Sequence, residues 1–126
     1  MEKLYIAVDF DGTCVTHEYP EIGKGIGAVP TLLRLVEAGH KIILHTMRSG
    51  ETLNQAVAWF EQNGIPLFGI NENPTQTSWT QSPKIYAHTY IDDAALGCPL
   101  LHPREGLPYV DWAAVEAILS ARGLLK

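Results

Sequence analysis

The chain has 126 residues, 46% of them hydrophobic and 18% charged, and a formal net charge of −5. That length suits one domain, here residues 1–126, with enough chain to bury a core. The negative balance argues against nucleic acid or an anionic membrane as an obligate partner, and no apolar stretch is long enough to span a bilayer. The two cysteines, Cys14 and Cys98, have no metal-ligand spacing and form no disulfide framework, which points to a reducing compartment. No signal peptide is expected ahead of the first strand, so the sequence reads as cytoplasmic.

The predicted elements alternate. Lys3 to Val8 reads as strand one, followed by a Gly-rich polar loop over 9–26. Val29, Leu32, Leu33 and Val36 recur at helical spacing, giving helix one over about Ala28–Ala38, with Pro30 in its first turn and Gly39 as its stop. Lys41–His45 is strand two. Ser49 is the expected cap of helix two, whose buried stripe is Leu53, Ala56, Val57 and Phe60 and which ends at Gly64. Pro66–Ile70 is strand three, and residues 71–82 form a polar loop without periodicity. Lys84–Tyr86 is a candidate helical turn, His88–Ile91 strand four, and Cys98–Leu101 a short fifth strand. Asp111 caps a last helix carrying Trp112, Val115, Ile118 and Leu119 and stopped near Gly123. Strands alternating with helices predict a doubly wound, Rossmann-like α/β domain, a parallel sheet with helices on both faces.

Four of the five aspartates sit at two strand ends. Leu4-Tyr5-Ile6-Ala7-Val8 runs into Asp9-Phe10-Asp11-Gly12-Thr13, and Tyr90-Ile91 runs into Asp92-Asp93. Carboxyl ends of parallel strands open onto the ligand crevice of such sheets. Two acidic pairs gathered there repel unless a cation lies between them, and Mg²⁺ is the natural hard, oxygen-seeking candidate. Asp9 and Asp11, two apart on a chain leaving a strand, suit a nucleophile beside a general acid/base. Gly12 allows the sharp turn and Thr13 can tie it. Strand two ends on Thr46-Met47-Arg48, where Thr46 is placed either to bond a phosphate oxygen with help from the start of helix two or to cap locally. Arg48 suits a second anionic group of a substrate or, equally, a solvated place at the start of helix two; Gly12, Thr13, Met47 and Arg48 together are the candidate substrate contacts. Lys84 precedes strand four and would offset the carboxylates and hold a transferring phosphoryl group. Lys3 and Lys41 begin strands at the wrong edge, Lys126 is terminal, and Lys24 in the first loop is the competitor.

This set resembles the haloacid dehalogenase (HAD) superfamily of phosphohydrolases over most of the chain. Its four motifs occur in the family's order: Asp9-x-Asp11-Gly12-Thr13, then Thr46, then Lys84, then Asp92-Asp93. The resemblance implies that Asp9 attacks phosphorus to form an aspartyl-phosphate. Asp11 would protonate the leaving group and then activate water, while Thr46 and Lys84 hold the phosphoryl oxygens. Mg²⁺ would bind the Asp9 side chain, the Asp11 backbone carbonyl and Asp92, with Asp93 reaching it directly or through water. Transferring relatives lack an acid at the Asp11 position, so its presence favours hydrolysis. The segments flanking Thr46 leave no room for the family's separate cap domain. Cover for the site must then come from a loop, a second subunit of a homo-oligomer, or a large substrate. The 71–82 loop, with Trp79 its bulkiest residue, is the expected partial lid.

Other residues carry weaker signals. Trp79 more often seals its own loop than stacks on a ligand. His17, His40, His45, His88 and His102 show no metal spacing, and Cys14 suits apolar filling. A signalling receiver domain also uses Asp, Thr, Lys and Mg²⁺, but it needs an aspartate at the end of strand three. Here that strand ends on Ile70-Asn71. The remaining rival is a non-catalytic phosphate- and Mg²⁺-binding module on the same fold. The identity of the phosphorylated substrate is not encoded in these motifs.

Overall fold

The computed structural model describes residues 2–125, so Met1 and Lys126 lie outside the described residues. Four strands form the main sheet: β1 (Tyr5–Val8), β2 (Lys41–Leu44), β3 (Leu67–Ile70) and β4 (Thr89–Ile91). Their order is β3-β2-β1-β4, and every pairing is parallel. The helices are α1 (Ala28–Glu37), α2 (Gly50–Gln62) and α3 (Trp112–Ala121). This is the Rossmann-like α/β arrangement that alternating strands and helices predicted. The winding runs outward through α1 and α2, then reverses past β2 and β1 to reach β4. No helix among the described residues is long and apolar enough to cross a membrane.

The period of each segment explains its packing. Alternate residues of the central strands, Ile6 and Val8 on β1 and Ile42 and Leu44 on β2, share one buried cluster with Leu32 and Leu35 of α1. Ala56 and Phe60 of α2 and Val115 and Leu119 of α3 join the same cluster. Fully burying each large aliphatic side chain contributes roughly 1.5–3 kcal/mol. Pro30 lies in the first turn of α1, and Gly39 follows its end with φ 95°.

Several local expectations change. Ser49 occupies the cap position of α2, but its side chain makes no capping bond; its carbonyl instead accepts from the Thr52 hydroxyl at 2.8 Å. Asp111 does cap α3, accepting from the Ala114 amide at 3.2 Å. The helical turn expected over Lys84–Tyr86 is irregular chain. The fifth strand, β5 (Leu100–Leu101), stands outside the main sheet and pairs antiparallel with β6 (Tyr109–Val110), a two-residue strand with too little sequence to show a period.

The connection from β3 to β4 contains no helix over 71–88. It is organised by two buried amides. Asn73 donates to the Tyr86 carbonyl at 2.9 Å. Gln76 donates to the Lys84 carbonyl at 2.7 Å and accepts from the Tyr86 amide at 2.8 Å. Burying these side chains is tolerable because their polar atoms are paired. Trp79 packs edge-on against Tyr86, whose ring meets Tyr5 and His88. Tyr5 in turn stacks on Phe68.

Candidate functional site

Register brings the motifs together. Val8 pairs with Leu44 on one side and Ile91 on the other, and Leu44 pairs with Ile70. The residues leaving these strands are therefore neighbours at one edge: Asp9, His45, Asn71 and Asp92. Backbone bonds carry the ladder one step further, from the Asp9 amide to the Ile91 carbonyl at 3.0 Å and from the His45 amide to the Val8 carbonyl at 2.8 Å. This is the carboxyl edge at which open parallel sheets hold their ligands.

The loop after β1 is pinned from several directions. The Thr13 hydroxyl, fully buried, donates to Asp9 Oδ2 at 2.7 Å and accepts from the Asp93 amide at 3.0 Å. Thr13 thus clips the two acidic segments together across 80 residues of sequence. From the other side, the Gly12 carbonyl accepts from the Val110 amide at 3.0 Å and the Thr13 carbonyl from the Trp112 indole N–H at 2.6 Å. The β6–α3 corner therefore buttresses the acidic loop.

Asp9, Asp92 and Asp93 each place a carboxylate oxygen within 4.8 Å of the others. Burial pushes the Asp9 carboxyl up to about 8, and the Asp92 charge and a side-chain hydrogen bond with Asp93 add to the effect against the Thr13 bond. Three converging carboxylates, with Asp9 raised by burial, are a donor set for a hard divalent cation. Asp92 keeps one oxygen on the Ala94 amide at 2.9 Å, and Asp93 keeps Oδ2 on His17 Nε2 at 2.7 Å. Each has a second oxygen to offer, so the residues present fit Mg²⁺.

Asp11 stands apart from this trio. Its two oxygens take a fork from Arg48, Nε to Oδ2 and Nη2 to Oδ1, both at 2.8 Å. The Arg48 side chain is 1% exposed. Its remaining N–H groups donate to the carbonyls of Pro20 at 3.1 Å, Glu21 at 2.7 Å and Thr52 at 3.2 Å. The guanidinium also lies 5.1 Å from the centres of both the Phe10 and Tyr19 rings. The Asp11 bonds hold the Arg48 charge even more firmly than usual. Arg48 was expected to grip a substrate anion, but every donor it has is committed within the protein.

A cavity of about 510 Å³ opens over this edge. Asp9, Asp11, Asp92 and Asp93 line its floor with Thr46, and His17, Tyr19 and Met47 line its sides. Thr46 is fixed there by two bonds: its amide donates to Asn71 Oδ1 at 2.8 Å and its hydroxyl accepts from the Arg48 amide at 3.2 Å. Met47, an expected substrate contact, is at the cavity and fully exposed. Gly12 and Thr13, also expected as contacts, are buried and do not line it. Their role is to shape and tie the loop beneath. Gly12 has φ 80°, and a Cβ there would fall 2.0 Å from His17 Nε2 and 2.6 Å from Asp93 Oδ2.

Lys84 is not brought to the cavity lining; it is exposed, with Nζ 5.9 Å from the Tyr90 ring centre. The 71–82 loop contributes no residue to the lining either, except that Asn71 holds Thr46 from outside it. Tyr19 from the first loop lines the cavity, whereas Trp79 packs edge-on against Tyr86 within its own segment. Asn71, His17 and Tyr19 are the site residues that sequence reasoning missed. Asn71 adopts φ 54°, which asparagine tolerates better than most residues, and an Asn at a strand end was the available signal. His17 had no such signal, since its partner lies 76 residues away. A separate cavity of about 450 Å³ between α2 and β3 is lined by Val57, Ile65 and Leu67 with Glu61 as its one titratable group, and holds no comparable chemistry.

No family model and no curated protein matches this chain. A solved structure of a conserved protein from Bacteroides thetaiotaomicron is similar to it, with 34% sequence identity and a TM-score of 0.79. The match covers 96% of this chain and 93% of that one. Identity at this level over nearly the full length of both chains reflects common descent, and the protein belongs to the same family as that conserved Bacteroides protein.

Proposed function

We propose that the protein is a Mg²⁺-dependent phosphohydrolase of the HAD type, acting on a phosphomonoester. The observation that carries this reading is the convergence of Asp9, Asp92 and Asp93 on the floor of one cavity with Asp11 and Thr46 beside them. These residues stand in the order of the family's motifs. A divalent cation held by the three carboxylates would offset their repulsion and draw charge from the phosphoryl oxygens.

The chain's own groups supply the rest. Thr13 fixes the plane of the Asp9 carboxylate by holding Oδ2. The other Asp9 oxygen forms the bond to phosphorus as the ester P–O bond breaks. The leaving oxygen takes a proton that Asp11 has picked up from solvent after releasing one arm of the Arg48 fork. Water then gives a proton back to Asp11 and attacks phosphorus, releasing Asp9 and orthophosphate. In the structure both Asp11 oxygens face Arg48, so Asp11 must release one bond to reach the leaving oxygen. Arg48 keeps the other and limits the carboxyl's swing. The Thr46 hydroxyl and the amides entering α2 are the nearest donors to phosphoryl oxygens.

The position of Lys84 favours a second reading, phosphate binding without turnover, because the phosphoryl-holding lysine of the resemblance is absent from the cavity. Turnover separates the two. A generic aryl phosphate with Mg²⁺ should be hydrolysed, EDTA should abolish this, and Mg²⁺ should restore it. Asp9→Asn should lose activity by about three powers of ten or more while keeping the fold. Beryllofluoride should modify Asp9 alone. A fully active Asp9→Asn protein excludes Asp9 as nucleophile.

A further inference from the structure

We infer that the substrate carries a single phosphoryl group and that its remainder is uncharged or cationic with a flat apolar surface. This rests on the phosphohydrolase reading and narrows it to a substrate class. The charges at the cavity are unequal. Four carboxylates line it. Arg48, the one arginine or lysine in the lining among the described residues, has all its side-chain N–H groups committed and its side chain 1% exposed. His17 holds Asp93. Lys84 lies outside the lining over the Tyr90 ring. Among the described residues the cavity thus offers one place for an anion, at the three converging carboxylates and their cation, and no uncommitted cationic side chain to receive a second. A further phosphate or carboxylate on the substrate would lie in an acidic lining with no free cationic side chain to pair with it.

The walls are of opposite character. Tyr19 is 57% exposed and Met47 98% exposed, and both stand at the rim. Tyr19 is held in place from below, since Arg48 lies under its ring and bonds the carbonyls of the next two residues. An aromatic ring fixed in this way presents a face for stacking, and a thioether adapts to whatever lies against it. At about 510 Å³ the cavity also exceeds what orthophosphate needs and lies within the usual range for a small organic ligand.

The test uses three matched probes: benzyl phosphate, its 4-trimethylammonio derivative and its 4-carboxy derivative. With Mg²⁺, kcat/KM should be lowest for the carboxylate by about tenfold or more, the size of effect expected from an unpaired like charge. Tyr19→Ala should lower the ratio of kcat/KM for benzyl phosphate over glycerol phosphate. A second readout needs neither metal nor turnover. Met47 is one of two methionines, so its ¹³C-methyl signal reports occupancy. Benzyl alcohol should shift that signal at lower concentration than 4-(hydroxymethyl)benzoate does. Equal or better handling of the carboxylate in both measurements overturns the inference while leaving the phosphatase reading intact. The expected methyl response without phosphate release supports the cavity's selectivity and overturns the phosphatase reading instead. Turnover with no response of Met47 to any probe removes the proposed apolar wall and with it the inference.

Discussion

Arg48 separates two views of this site, because a substrate contact and an internal anchor respond differently to its loss. In Arg48→Met, the chain keeps an apolar stem of similar size but loses every N–H donor. Asp11 loses both arms of a fork at 2.8 Å, and three carbonyls of Pro20, Glu21 and Thr52 lose donors at 2.7–3.2 Å. Breaking a buried pair by removing one partner costs about 3–5 kcal/mol. The Asp11 side chain is 18% exposed, so water partly relieves it and the lower end, about 3 kcal/mol, is expected. For a domain of this size that is a fall in Tm of roughly 10–15 °C. The assay is thermal and urea unfolding of the wild type, Arg48→Met, Asp11→Asn and the double variant. The double-variant cycle should give a coupling of about 2 kcal/mol or more, since the two single changes remove the same fork. A substrate-gripping arginine would instead raise KM at nearly unchanged Tm. A Tm fall below about 3 °C in Arg48→Met refutes the anchoring argument.

Two further outcomes follow from the acidic floor. The Asp9 carboxyl titrates near its ordinary 3.8 in the unfolded chain and at about 8 in the metal-free fold. Between those values the folded state holds a proton that the unfolded state has lost. Stability is therefore full below about pH 4 and declines as pH rises toward 8, by at most about 1.4 kcal/mol per pH unit. Metal-free Tm should fall from about pH 5 to pH 8, Mg²⁺ should restore it most at pH 8, and Asp9→Asn should flatten the profile; a flat wild-type profile excludes the burial-raised Asp9 carboxyl. Gly12→Ala should cost about 2 kcal/mol from its left-handed backbone and should split His17 from Asp93, because the new Cβ falls on both groups. Unfolding measures the first effect and the His17 ring NMR signals the second; unchanged signals would mean the loop accommodates a side chain.

Local pattern was enough to place most elements. Runs such as Lys41-Ile42-Ile43-Leu44 and the stripe Leu53, Ala56, Val57, Phe60 carry their period in consecutive residues, and burial of that stripe then selects strand or helix. The two acidic strand ends were legible for the same reason, since parallel order and the carboxyl-edge rule bring them to one crevice. What the sequence left open were pairings between distant residues. Arg48 with Asp11, His17 with Asp93, Thr13 with Asp93 and Asn71 with Thr46 lie 25 to 80 residues apart, and nothing in spacing records them. Only the folded register decides which donor meets which carboxylate. The same holds for the 71–88 connection: its polar composition suggested a loose lid, but Asn73 and Gln76 turn inward and bond its own backbone. Tertiary structure thus turned Arg48 from a substrate contact into an anchor and gave the cavity wall to Tyr19, because buried hydrogen-bonding groups must find partners wherever the chain brings them.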